Sequence, residues 1–260
     1  MTQAAVSRIA LALVNARKNH LPADASQFTD QLSTTAEAYE VQDLVYKALE
    51  GETAPVAQAW KSGGPNRSSE QTHSALLAQG ILQNGAEMRN WPLNIRIVEI
   101  EIAFRIGCDI THEQAAAIDH ESSKKLIAAK TVSIEIVDSR WQQAGQAQAL
   151  LKLADMQSHG TLVLGDWTPY TQSDAERDWS KQRCSLKIGE QPVVSFMGTH
   201  TLQDPTYVLP AWLKHATSKG QTLPAGTIIT TGSWCGMPFA NKGDLIVAEF
   251  DGISKTSVQL

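Results

Sequence analysis

The chain has 260 residues, 42% of them hydrophobic and 19% charged, so it is long enough to bury a core in one large domain or two modest ones. Its formal net charge of -5 provides no basic surface for nucleic acid or an anionic membrane, and both partner classes are excluded. Cys108, Cys184 and Cys235 are widely spaced and predict neither a disulfide framework nor a zinc cluster, so a cytoplasmic location is expected.

The first third of the chain is predicted to be helical. Residues 4–18 are rich in alanine and leucine, which favours one helix. Thr34 followed by Glu37 forms a capping box that opens a second helix, which is expected to end near Leu49.

A loop or domain junction is predicted where turn-forming residues cluster. Residues 60–67 read WKSGGPNR, a composition typical of loops. We therefore predict a helical N-terminal region over residues 1–65 and a β-rich catalytic domain over residues 66–260.

The second region begins with a strand over residues 95–106. Glu99, Glu101 and Arg105 alternate with apolar residues, so the strand is predicted to have one apolar and one polar face. The apolar face comprises Val98, Ile100, Ile102, Phe104 and Ile106.

A helix over residues 111–129 and a strand over residues 131–137 are predicted next, because an alanine- and lysine-rich stretch gives way to alternation around Glu135. The chain is expected to close as a hairpin turning at Asp251-Gly252, a dipeptide favoured by two-residue turns. The remaining predicted strands are residues 161–164, 186–188, 193–196, 227–231, 245–250 and 253–258.

The E-x-E pair is the first candidate for chemistry. Residues two apart on a strand point the same way, so Glu99 and Glu101 can present two carboxylates to one point. Hard oxygen ligands select magnesium, manganese or calcium, and a third acid such as Glu135 would complete an open-sided ligand set. The alternative is that these glutamates form only the solvated face of a half-buried sheet.

Three ordered segments carry a family resemblance: VEIEIAFRIG at 98–107, SIEIVDSR at 133–140 and TTGSWCGM at 230–237. With LADMQSHGTLVLG at 153–165, they resemble the fumarylacetoacetate hydrolase superfamily. The chain is most similar to the hydratase/decarboxylase branch, which includes the 2-keto-4-pentenoate hydratases and 4-oxalocrotonate decarboxylases of aromatic catabolism.

This resemblance implies an α+β fold, with a small helical N-terminal part joined to a mixed β-roll, and a homo-oligomer. It implies one divalent ion, Mg²⁺ or Mn²⁺, and a small 2-oxo acid substrate that chelates the ion, which then stabilises an enolate. The implied metal ligands are Glu99, Glu101 and Glu135; the implied catalytic residues are Lys61 and Asp155; and the implied substrate-binding residues are Lys61, Ser158, Thr231, Gly232 and Ser233.

Several of these side chains also have structural interpretations. Lys61 could shuttle protons if burial near a metal lowers its pKa, or it could be a solvated surface lysine. Asp155 could cap a helix or turn, and Ser233 could be a turn hydroxyl. Arg140 is predicted to pair with Asp138. The histidines are scattered and are interpreted as surface or hydrogen-bonded residues, while Cys235 is interpreted as a buried, inert thiol.

The sequence departs from the branch in three places. The lysine occurs in WKSGGPN instead of a YKIGLTS-like segment, and Ala78 and Gln79 stand where an acidic pair is expected. Asp204-Pro205 replaces a His-Pro pair. These differences bear on the substrate and the hydration step more than on metal binding.

Three functions therefore remain open from the sequence. The first is a lyase that hydrates a 2-hydroxydienoate of the 2-keto-4-pentenoate type. The second retains the metal but decarboxylates an oxo-diacid or hydrolyses a C-C bond of an acylpyruvate. The third, from another class, is a non-catalytic scaffold or binding protein.

Overall fold

A computed structural model describes residues 3–260 of the chain. Its helices are α1 (Gln3–Asn19), α2 (Thr35–Glu50), α3 (His112–Ala117), α4 (His120–Lys124), α5 (Ala149–Ala154), α6 (Gln172–Ala175) and α7 (Leu209–Ala216). Its strands are β1 (Ala59–Gly63), β2 (Thr72–Ala75), β3 (Ile81–Gln83), β4 (Ala86–Glu87), β5 (Ile97–Ile106), β6 (Ile127–Val137), β7 (His159–Leu164), β8 (Thr168–Pro169), β9 (Arg183–Ile188), β10 (Val194–Met197), β11 (Ile228–Thr230), β12 (Leu245–Phe250) and β13 (Ser254–Gln259). Within this described range, no helix is both long and apolar enough to cross a membrane.

The strands form two sheets, and the predicted α+β class is confirmed. An eight-stranded mixed sheet has the order β2-β1-β11-β5-β6-β7-β3, with β8 pairing to β6, and a five-stranded sheet has the order β10-β9-β12-β13-β4. The main core joins both sheets and α7 through residues such as Ile134, Ile246 and Trp212. A second core packs α1, α2 and α5 together through Ile9, Val41 and Leu151.

The segment at residues 60–67 is not wholly a loop, because Ala59–Gly63 forms β1 inside the larger sheet. β1 pairs parallel to β11 and antiparallel to β2. Trp60 and Ser62 are buried, while Lys61 between them is half-buried. Because β1 has a paired strand on each side, this segment is extended in spite of its turn-forming composition. The domain boundary at residue 65 stays a prediction, and the structure adds that a strand from before it belongs to the sheet.

The single helix predicted over residues 111–129 is wrong. The chain instead forms α3 and α4, and β6 has already begun at Ile127. The Asp119 side chain accepts a hydrogen bond of 2.7 Å from the Ser122 N–H, which starts a new helix after the first has ended. Ile127 then pairs with Ile106 of β5 and is buried there.

The predicted polar face of β5 is buried in its middle, although Glu99 and Arg105 on that face are only half-buried. β11 and β6 flank the strand, and Glu101 is only 1% exposed while Ala103 on the same face is fully buried. A carboxylate buried in this way costs free energy unless a cation or hydrogen-bond donors compensate it.

A buried histidine on β2 makes stability depend on pH. Burial, and then the neighbouring His215, lower the pKa of His73 to about 3. In the unfolded chain this imidazole takes up a proton below pH about 6.5, whereas in the folded chain it stays neutral, so stability falls as pH decreases from there.

We therefore expect His73 to contribute a loss of about 2 kcal/mol of unfolding free energy between pH 7 and pH 5. Ser62 Oγ and His73 Nδ1 are 2.8 Å apart, and an asparagine can retain this hydrogen bond. Urea unfolding of His73→Asn and the wild type at both pH values should show a smaller pH dependence in the variant; equal dependences would contradict the assignment.

Candidate functional site

Three glutamates meet at the centre of the larger sheet. β5 and β6 run antiparallel, and their register places Glu99 directly opposite Glu135. Glu101 lies on the same face as Glu99 because strand side chains alternate. One oxygen of each carboxylate lies within 4.8 Å of the others, so the three side chains can share one cation.

Hydrogen bonds from β11 and the loop after it orient Glu101. Its Oε2 accepts from the Thr230 hydroxyl and, at 2.8 Å, from the Gly232 N–H. Gly232 has φ +107, a conformation that favours glycine. The hydrogen bond from the Gly232 N–H therefore connects this loop to the carboxylate cluster.

Lys61 completes the cluster from β1. Its Nζ lies 2.6 Å from Glu135 Oε1 and donates a longer hydrogen bond of 3.5 Å to the Gln157 carbonyl. Burial opposes the charged ammonium, but Glu135 and the other two carboxylates outweigh this effect, and the pKa of Lys61 is raised. The expectation that burial near a metal ion lowers this pKa stays a prediction, because the raised value reflects carboxylates that no second cation compensates.

The pKa values of the three glutamates indicate that the one ammonium of Lys61 does not compensate three ionised carboxylates. Burial raises the pKa of Glu99 to about 8 and that of Glu101 to about 7, although Lys61 opposes both shifts. For Glu135 burial acts in the same direction, but Lys61 and His159 outweigh it and lower the pKa to about 2.

These residues fit a hard divalent cation. Glu135 Oε2 is buried and has no hydrogen-bond partner among residues 3–260, so its lone pairs are free to bind a metal ion. Two further carboxylates with raised pKa values stand beside it. Oxygen-only ligand sets of this kind suit Mg²⁺, Mn²⁺ or Ca²⁺.

His159 belongs to the site, although sequence reasoning did not select it. This first residue of β7 is 1% exposed, and its Nδ1 lies 3.0 Å from Glu135 Oε1. Because a carboxylate only accepts, Nδ1 carries the proton and donates. A histidine two residues before a predicted strand gives no signal for this role, which depends on how β7 pairs with β6.

A cavity of about 400 Å³ lies beside the carboxylate cluster. Lys61, Glu99, Glu101, Gly232 and Ser233 line it, whereas Glu135 is fully buried and is not part of its lining. It is completed by Ser62, Gly63, Gly64, Gln157, Thr199, Thr201, Gly236 and Met237. A small organic acid can therefore reach the acids, the ammonium and the loop together.

Other predicted site residues lie outside this cavity lining. Asp155 is buried and accepts from Arg140 Nε at 2.6 Å, and Thr231 is fully buried and donates its hydroxyl hydrogen bond to the Ile102 carbonyl. Ser158 is adjacent in the chain to the lining residue Gln157. Roles for Asp155, Ser158 and Thr231 in the reaction stay predictions.

The predicted Arg140–Asp138 pair is the looser of two contacts. The Arg140 guanidinium lies 3.6 Å from Asp138 but 2.6 Å from Asp155. The backbone N–H of Arg140 also donates to the Asp155 carboxylate, at 2.9 Å. Two donors of one residue therefore converge on Asp155, which makes it the main partner.

The backbone beside Lys61 is strained. Met156, Gln157 and Ser158 have φ values of 50, 53 and 57, a left-handed conformation that is costly for residues other than glycine. The Gln157 carbonyl in this turn accepts the Lys61 hydrogen bond. Strain of this kind is concentrated at functional sites.

His200 holds the loop that carries Gly232 and Ser233. Its Nε2 donates to the Thr231 carbonyl at 2.8 Å, and its Nδ1 accepts from the Leu202 N–H at 3.3 Å. A Cβ on Gly232 would come within 3.4 Å of the same ring. The Ser233 hydroxyl donates to the Gly236 carbonyl at 2.7 Å, so the predicted turn hydrogen bond is present in a residue that also lines the cavity.

Comparisons with known proteins give one sequence family and several similar folds. The structure of 4-oxalocrotonate decarboxylase from Pseudomonas putida G7, complexed with magnesium and adipate, is similar over 100% of this chain and 98% of that chain, with a TM-score of 0.80 and 19% identity. The same enzyme complexed with calcium and acetate gives a TM-score of 0.78 at the same identity and coverage. An isomerase of 2-hydroxyhepta-2,4-diene-1,7-dioate from Mycobacterium marinum is similar over 78% of this chain and 74% of its own, with a TM-score of 0.56 and 14% identity.

No curated protein sequence matches the chain. The family model described as fumarylacetoacetate (FAA) hydrolase C-terminal does match, over residues 86–260. This range is more than half of the chain and contains all three clustered glutamates. The chain therefore belongs to the fumarylacetoacetate hydrolase family.

Proposed function

We propose that this protein is a divalent-metal-dependent lyase that acts on a small 2-oxo acid, with hydration of a 2-hydroxydienoate of the 2-keto-4-pentenoate type as its reaction. The observation that carries the proposal is the cluster of three carboxylates within 4.8 Å, with an ammonium 2.6 Å from one of them. Support also comes from the similar full-length fold of a decarboxylase complexed with magnesium.

Glu99, Glu101 and Glu135 would hold one Mg²⁺ or Mn²⁺. When bound, the ion withdraws electron density from the keto group of a 2-oxo acid and offsets negative charge that develops there. His159 fixes the orientation of Glu135 through its Nδ1–H, as partners of metal-binding carboxylates commonly do.

The protein's own groups would bind the substrate and move protons. Lys61 Nζ donates to Glu135 and to the Gln157 carbonyl; it would deliver a proton to the substrate carbon and recover one from the water whose hydroxyl adds to the conjugated double bond. The hydroxyls of Ser233, Thr199 and Thr201 line the cavity and donate to the carbonyls of Gly236, Trp234 and Gly64, so a hydroxyl that binds the substrate carboxylate would turn from its carbonyl to donate to it.

A second reaction of the same site is decarboxylation of an oxo-diacid, or hydrolytic C-C cleavage of an acylpyruvate. In the hydratases that the chain resembles, an acidic pair is expected to assist the proton transfers, whereas Ala78 and Gln79 stand at its place here and do not line the described cavity. The full-length similarity to a decarboxylase also favours this alternative.

A product assay distinguishes these reactions. Purified protein loaded with Mg²⁺ would be incubated with 2-hydroxypenta-2,4-dienoate, with an oxo-diacid and with an acylpyruvate. We expect 4-hydroxy-2-oxo acid from the dienoate. Release of carbon dioxide from the oxo-diacid, or of pyruvate with a free acid from the acylpyruvate, would show that the alternative reaction and not hydration is correct. Binding of oxalate without turnover of any substrate would show that the protein is a non-catalytic binding protein.

The role of His159 gives a separate prediction. His159→Phe should weaken Mg²⁺ binding about 10- to 100-fold, because Glu135 loses its oriented donor. His159→Gln can still donate from its amide and should lose less. Calorimetric titration of both variants, with the exposed His112→Gln as control, checks this result, and wild-type affinity in the phenylalanine variant would contradict it.

A further inference from the structure

A second cavity, of about 500 Å³, lies between α2 and α7 and contains aromatic side chains. Tyr39, Tyr46, Trp60 and His215 line it. The His215 ring centroid lies 4.3 Å from that of Tyr39 and 6.0 Å from that of Trp60. Ring faces carry partial negative charge and attract cations.

The polar groups of this cavity include three side chains with acceptor oxygens. Glu40 and Asp43 line it, as does Gln221, whose buried Oε1 has no hydrogen-bond partner among the described residues. Lys219 is also in the lining, but its ammonium is paired with Asp43.

The remaining charge is negative. Burial, which outweighs the opposite effect of Asp43, lowers the pKa of His215 to about 4, so its ring is neutral near pH 7. The exposed Glu40 accepts a hydrogen bond of 2.9 Å from the uncharged Gln3 amide, and no salt bridge joins it to a lysine or arginine among residues 3–260. A ligand with positive charge and a hydrogen-bond donor would complement these groups.

We propose that this cavity binds a small organic ammonium ion whose apolar body packs against the aromatic rings. The ammonium would donate to Gln221 Oε1 and balance Glu40, while the rings cover the hydrocarbon part. A carboxylate ligand would instead be repelled by Glu40.

This site is separate from the carboxylate cluster but close to it. Trp60 and Met156 line the aromatic cavity, and their chain neighbours Lys61 and Gln157 line the carboxylate cavity. Because an amine could also bind to the clustered glutamates, the test must keep those glutamates occupied or changed.

Calorimetric titration with 2-phenylethylamine and its uncharged analogue 2-phenylethanol, both in saturating Mg²⁺, tests the proposal. We expect the amine to bind at least about tenfold more tightly than the alcohol. Glu40→Gln should weaken amine binding about fivefold, and Trp60→Phe about threefold, since phenylalanine attracts cations less than tryptophan. The exposed control Glu190→Gln, and Glu99→Gln at the carboxylate cluster, should bind the amine like the wild type.

Three results would overturn the proposal. The first is equal affinity for the amine and the alcohol, or no heat from either. The second is tighter binding of 3-phenylpropionate than of the amine. The third is loss of amine binding in Glu99→Gln with wild-type binding in Glu40→Gln, which would assign the amine to the carboxylate cluster.

Discussion

Replacing Lys61 by methionine is expected to reduce turnover about 100- to 10,000-fold, the range typical for loss of a group that transfers protons. Metal binding should persist and become somewhat tighter, because the ammonium 2.6 Å from Glu135 Oε1 no longer competes with the ion. Steady-state assays with the substrate found by the product panel, together with Mg²⁺ calorimetry, measure the two effects separately.

The exposed Lys187→Met is the matched control for this variant and should keep wild-type turnover and metal affinity. A fully metal-loaded Lys61→Met that turns over within about tenfold of the wild type would contradict the role of Lys61 in proton transfer. A variant that loses both activity and metal binding would instead indicate that Lys61 maintains the structure of the site.

Replacing Glu101 by glutamine is expected to weaken Mg²⁺ binding by at least about 100-fold, since one of three charged ligands is lost. The same change should stabilise the metal-free protein. Burial raises the pKa of Glu101 to about 7. The contribution of Glu101 to the unfolding free energy therefore decreases as pH rises from about 4.5 to above 7, because the carboxyl ionises more readily in the unfolded chain. The uncharged amide removes this cost and can still accept from the Gly232 N–H.

Thermal and urea unfolding at pH 8 with a chelator should therefore give Glu101→Gln an unfolding free energy roughly 1–3 kcal/mol above that of the wild type. Added Mg²⁺ should raise the melting temperature of the wild type but not of the variant. The exposed Glu249→Gln should resemble the wild type in both respects. Equal or lower stability of metal-free Glu101→Gln would show that the buried carboxylate is compensated without a cation.

The strand that carries the E-x-E pair could be predicted from sequence because its alternation is regular over ten residues. Period-two spacing alone places Glu99 and Glu101 on one face. The convergence of Glu135 was an expectation of the family resemblance, and it is realised by the β5–β6 register. Spacing could not establish that this face is buried, since burial depends on the strands and loops packed over it.

Contacts between distant segments account for what the sequence could not predict. Lys61 lies in a segment of turn-forming residues, and its pairing with β11 and β2 makes it part of a strand. His159 reaches Glu135 across 24 positions of sequence. Asp155 was expected near the metal, but the Arg140 backbone and guanidinium hold it in a buried pair. No local periodicity carries information on these contacts.

The most direct test of the account is calorimetric titration of the wild type, Glu99→Ala and Glu135→Ala with Mg²⁺ and Mn²⁺, with and without oxalate as a mimic of a 2-oxo acid. The account predicts that the wild type binds one divalent ion, that oxalate binds only when the ion is present, and that both alanine variants lose both events. Failure of the wild type to bind either ion, or retention of metal-dependent oxalate binding in both variants, would contradict the assignment of the metal site.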